Sequence, residues 1–143
     1  MKAPTDRSRM THPMIEGLAL AACGLLVLVA AFQLGLSAGA PWADAAYGGR
    51  ATLPDGRLPT RYRAASLITA VVLIAIGCLL LLRGGVVGSA SENSALTWTC
   101  WGFALLFAVN TVGNVAGRHP VERWGMGALT ACLTVLCVLL AIG

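Results

Sequence analysis

Three amides and two acids carry what chemistry this chain can offer in and beside its apolar stretches. Asn110 and Asn114 are four residues apart and therefore share a helical face. At 3.6 residues per turn, Gly113 and Gly117 fall in the same stripe, with Phe103 and Phe107 further back. Such a face is expected to turn away from lipid, because an amide in hydrocarbon needs partners and glycines let a second backbone approach. It can join helices, at about 0.6–2 kcal/mol per polar contact, or it can border a pocket or solute path. Joining is the expectation, and Gln33 in the first apolar stretch is the candidate partner. Gly35 and Gly39, which close that first stretch, are the other candidate packing positions.

Glu16 and Glu122 follow His12-Pro13 and His119-Pro120, near the starts of two apolar stretches. Proline suits a first helical turn and negative charge suits a helix N-terminus, so capping accounts for both pairs. Arg118 and Glu122 are one turn apart, which predicts a local ion pair at the membrane edge. No apolar stretch has a charge at its centre, where ion-coupled transport usually places one. Small multidrug transporters are four-helix chains with an essential Glu in the first helix. Glu16 lies too near the start of its stretch for that role, and the long loop departs from their compact design.

Other chemistry is excluded by spacing. The two histidines fall on opposite membrane faces and cannot share a metal. Cys23, Cys78, Cys100, Cys132 and Cys137 form no Cys-x-x-Cys and lie in or beside apolar stretches, which argues against disulfides and zinc. No Ser-His-Asp set, paired carboxylates or phosphate loop is present; the glycine pairs at Gly48 and Gly84 precede no lysine. A non-enzyme without a cofactor is expected.

The elements that must position these residues follow from composition. Of 143 residues, 57% are hydrophobic and 11% charged, too apolar for a chain this short to hide from water. Four uncharged stretches are each long enough for a bilayer, which takes about 20 residues. Backbone groups in lipid must bond internally, and barrel alternation is absent, so these are helices. The reading is an all-α polytopic membrane protein: one bundle of four transmembrane helices at about 14–38, 64–82, 95–117 and 124–142, with neighbours antiparallel. The first stretch is longer than a signal peptide's apolar region and Pro41 would follow the cut, so it is read as a span.

The loop at 41–63 carries a turn at Pro54-Asp55-Gly56 and is expected to lie along the head groups, partly covering the helix ends. Trp42, Tyr47 and Tyr62 within it, with Trp98, Trp101 and Trp124, are candidate interface anchors. The formal net charge of +4 sits in loops and the tail, which suits lipid head groups and not nucleic acid. The long-loop side holds six cations against four on the other, which favours that loop in the cytoplasm; the tail of Lys2, Arg7 and Arg9 favours the reverse. Both stretches one and three end in G-x-x-A-G, at 35–39 and 113–117, a faint internal repeat.

The segment G-A-P-W-A-D-A-A-Y-G-G-R at 39–50, L-P-T-R-Y-R-A-A-S at 58–66, the end of the third stretch and Glu122-Arg123-Trp124 together resemble a family of small, uncharacterised bacterial four-helix integral membrane proteins. The resemblance covers most of the chain. It implies a bacterial inner membrane, multi-pass, and no assigned activity. The leading expectation for function is a non-enzymatic structural or accessory component in contact with lipid, as a homo-oligomer or part of a larger membrane complex. The alternative is a carrier of small solutes or lipophilic ligands that uses the polar face of the third helix.

Overall fold

The computed structural model describes residues 12–88 and 93–143. Lys2, Arg7 and Arg9, read above as topology signals, lie outside them. The described residues are 80% helical, with four long helices and no strand among them. Helix α1 is His12–Ala38, α2 is Thr60–Arg83, α3 is Ser94–Val115 and α4 is Gly127–Ile142, led in by a π-helical turn at Val121–Met126. With that turn counted into α4, all four are long and apolar enough to cross a bilayer. The shortest have 22 residues, about 33 Å at 1.5 Å per residue, against about 30 Å of hydrocarbon. All four are apolar around most of their circumference, as helices in lipid must be.

Helix α2 opens at Thr60, ahead of the apolar stretch. Pro59 is extended, and its carbonyl accepts the N–H groups of Tyr62 at 2.9 Å and Arg63 at 3.1 Å. The first turn is thus polar and lies outside the expected span.

The helices pack as two antiparallel hairpins. α1 lies along α2 and α3 lies along α4; α1 and α4 join the hairpins, while α2 and α3 scarcely touch. One apolar core fills the join, with Leu26, Leu80, Leu133 and Leu140 almost fully buried. Cys100 and Cys137 are buried there as small apolar groups. Close approach is made by glycines that sequence reasoning did not single out for packing. Gly84 abuts Ala19, Gly77 lies beside Cys23 and Leu26, and a Cβ on Gly127 would stand 3.1 Å from Val115.

The connection from α1 to α2 is folded, with a small core of its own. Leu36, Ala43, Ala46, Ala51 and Leu58 are buried together, with Phe32 and Tyr62 against them. Gly39, at φ +96°, turns the chain out of α1 in a left-handed conformation that favours glycine. Arg63 Nε donates to the Ser37 carbonyl at 2.9 Å, so a cation from α2 caps the C-terminus of α1. Trp42 stacks on Phe32 at 6.0 Å and 7° and lies against Gly35. At the far end Gly56, at φ +77°, closes the turn with its N–H on Leu53. The loop is therefore a compact cap that covers one end of the bundle and is tied to the helices.

Candidate functional site

Where α2 and α3 part, a cavity of about 340 Å³ enters the bundle. Val29, Val72, Leu73, Ile76 and Phe107 give it an apolar wall, and Gln33, Thr69, Asn110, Asn114 and Thr130 supply the polar groups. Its rim is open to the side: Ile68 is 65% and Leu106 42% exposed, on surface that lipid covers. A second volume, about 250 Å³, adjoins it beneath the loop and shares Gln33, Thr69, Asn110 and Asn114. Phe32, Ala45, Ala46, Tyr47 and Glu122 complete this second part.

The two asparagines do different work. Asn114 Nδ2 donates to Thr130 Oγ1 at 3.3 Å, and Thr111 Oγ1, whose one proton is shared with the Phe107 carbonyl at 2.8 Å, lies 2.9 Å from the same oxygen. Thr130, 6% exposed, passes its own proton to the Met126 carbonyl at 2.9 Å. This is the expected joining of helices, made between α3 and α4. Asn110 joins nothing. Its Nδ2 donates to the Leu106 carbonyl of its own helix at 2.9 Å, which leaves its Oδ1 free toward the cavity. Gln33 reaches the same cavity but bonds to neither asparagine, and its Oε1 is buried without a partner.

Glu122 is the largest departure from expectation. The proposed pair with Arg118 is absent: among the described residues no cation stands within ion-pair distance of its carboxylate. The π-helical turn swings Glu122 inward to 6% exposure, while Arg118 remains exposed. Oε1 accepts the Gly48 N–H at 2.8 Å, and Oε2 is buried with no partner. Gly117 makes the space, since a Cβ there would collide with the carboxylate. A one-turn spacing assumes regular α geometry, and the chain between 116 and 126 does not keep it. The legible signal was Gly117 itself, a glycine five residues before an acid. By contrast Glu16 is exposed at the start of α1.

The four candidate packing glycines divide. Gly117 lodges Glu122, Gly35 lodges the Trp42 ring and Gly39 ends α1 beside the Arg63 guanidinium. None of these approaches is helix to helix. Gly113 meets nothing within 4 Å, so within the chain it is not a packing position. Each residue turns a helix by about 100°, which carries Gly113 off the Asn114 side toward lipid.

Of the aromatic residues, Trp98 and Trp124 are 74% and 68% exposed at opposite ends of the bundle, and Trp101 is exposed near Trp98. Arg123 lies 5.4 Å over the Trp124 ring. Trp42, although stacked on Phe32, is 49% exposed. The two tyrosines are tied into the cap: their rings are 5.0 Å apart, and the Tyr47 hydroxyl is 3.0 Å from the buried Ser66 Oγ. His119 accepts the Val121 N–H at 3.2 Å, the capping role read from its position before Pro120. Among the described residues no group of three His, Cys, Asp or Glu could hold a metal ion.

Comparison with protein families, curated proteins and solved structures gave no match.

Proposed function

We propose that this multi-pass membrane protein is non-enzymatic and holds a small lipophilic ligand between α2 and α3, as a binder or carrier, with Gln33, Asn110 and Asn114 as polar anchors. The observation that carries this reading is the laterally open cavity of about 340 Å³ bordered by all three amides. Ligand sites begin at about 300 Å³ and are mostly apolar with few polar groups. Asn110 weighs most, because an amide serving only to join helices would bond across a helix interface, and this one bonds to its own backbone. The folded cap supports the same reading, since its Ala45, Ala46 and Tyr47 line the volume that adjoins the cavity. The sequence motifs at 39–50 and 58–66 support a bacterial inner membrane as its site.

The test is an aliphatic diazirine photolabel applied to the protein in nanodiscs, with adducts mapped by mass spectrometry. Adducts are expected on Thr130 and Gln33, and Val72→Trp, which fills the gap, should remove them. Labelling confined to outward residues such as Ile74 and Val109 would refute a ligand site.

A second reading, a structural or accessory subunit that self-associates, is favoured by α3. Its apolar window is 17% buried against 33% for the other helices, and Gly102 and Gly113 on it meet nothing within 4 Å.

A further inference from the structure

The cavity presents several unspent acceptors, two of them buried. Asn110 and Asn114 each commit Nδ2 to an oxygen, of Leu106 and Thr130 respectively. The Leu106 carbonyl can only accept, which fixes Asn110, and the Thr130 hydroxyl has given its proton to the Met126 carbonyl and so accepts from Asn114. Both side chains therefore keep an oxygen unspent. The Thr69 hydroxyl gives its proton to the Ala65 carbonyl at 2.9 Å and can only accept thereafter. Gln33 Oε1 and Glu122 Oε2 are buried and unpartnered. Glu122 is 94% buried, from its 6% exposure, and lines the volume under the loop with no cation within ion-pair distance among the described residues. The groups packed around that carboxylate are the Gly48 N–H and Gly117. Phe32 and Tyr47 border the same volume and supply rings, whose faces attract cations.

A buried carboxylate without a counter-charge is costly, and so is a buried amide oxygen without a donor, as at Gln33. A ligand with several N–H donors and one positive charge resolves both. The adjoining part of the cavity, between α2 and α3, is apolar and open to lipid, so the remainder of that ligand must be apolar. Resting on the ligand-site reading above, we infer that the bound species is an amphipathic ammonium compound: a protonated amine head at Glu122 and the amides, and a hydrocarbon body between α2 and α3. A neutral lipid chain would fill the apolar part and leave Glu122 unmatched.

The experiment is competition against the aliphatic diazirine in nanodiscs of zwitterionic lipid, read as loss of adducts on Thr130. The competitors are n-hexylamine and hexan-1-ol. In the native protein the amine is expected to compete at a concentration about tenfold or more below the alcohol, the scale of a hydrogen bond to a charged group. Glu122→Gln should collapse that ratio toward its value for bilayer partition alone. Both compounds enter lipid equally in the two samples, so the change in ratio belongs to the protein.

Equal competition in native protein, or a ratio that survives Glu122→Gln, would overturn the ammonium assignment while the ligand site stands. Absence of interior adducts in any sample would remove the ligand site itself. If Glu122→Gln does not fold, Asn110→Leu carries the test. That variant loses one acceptor and no helix contact, and the amine preference should fall about threefold or more; an unchanged ratio there would likewise overturn the assignment.

Discussion

The same five-residue pattern, G-x-x-A-G, closes α1 and α3, and the two ends are built in opposite ways. At 35–39 every feature is satisfied locally. Trp42 fills the space over Gly35, Gly39 takes the left-handed turn, and Arg63 covers the last carbonyls. At 113–117 the pattern is left open. Gly113 touches nothing, Gly117 is occupied only by a carboxylate, and no cation comes to that carboxylate among the described residues. The first end is finished structure. The second has capacity left over, and it borders the cavity. Glycine at a helix end permits close approach without choosing what approaches; the connection that follows makes the choice.

The largest expected effect sharpens that contrast directly. Gly35→Ile drives a branched side chain into the Trp42 ring, which its stack on Phe32 holds in place. The loss should be about 2–3 kcal/mol, the upper range for overpacking. Gly113→Ile projects into lipid and should change stability by no more than about 0.5 kcal/mol. Unfolding of each variant in detergent, followed by circular dichroism, measures both. Equal losses would mean the two ends are equivalent after all.

A middle effect concerns the cations. Arg63→Ala removes a charge-assisted bond to the Ser37 carbonyl, worth about 1.5–3 kcal/mol, and should expose the cap to limited proteolysis near Arg57. Arg118→Ala removes an exposed side chain with no carboxylate partner and should stay within about 0.5 kcal/mol. A large loss in Arg118→Ala would restore the ion pair with Glu122 that spacing alone suggested.

These contrasts also mark how far the residues could be read in advance. The four spans were legible because lipid forces long uncharged helices, and residues such as Leu26 and Leu133 only needed to be apolar. The cavity amides were legible because amides in apolar helices are rare enough to stand out. What spacing could not show was which bond each amide makes. Asn110 and Asn114 look alike on a helical wheel, yet only Asn114 finds Thr130 across the hairpin. Glu122 was misplaced because the wheel assumes 3.6 residues per turn, and the π-helical turn at Val121–Met126 breaks that count. Wide turns of this kind often occur at functional sites, consistent with an acid swung into a cavity. The packing glycines Gly77, Gly84 and Gly127 were hidden for a third reason. Their partners, Ala19, Leu26 and Val115, come from other helices, and no local pattern announces them.

The smallest expected effect decides what the open glycines of α3 are for. Gly113→Ala and Gly102→Ala add a methyl group where nothing lies within 4 Å, so the fold should not resist them. Helix propensity alone would then raise stability, by at most about 1 kcal/mol per site. If α3 only faces lipid, self-association measured by energy transfer between labelled copies in nanodiscs should not change. If two copies meet along α3, the added methyls hold the backbones apart and association should weaken while each copy stays as stable or becomes more so. Glycine contacts of this kind act through close van der Waals approach, which one methyl per helix is enough to spoil. A fall in association without a fall in stability would therefore assign Gly102 and Gly113 to assembly, and leave the cavity on the α2 side of the same helix as a separate feature. Unchanged association would leave the outer face of α3 to lipid, and Asn110 and Asn114 as the side of that helix with a task.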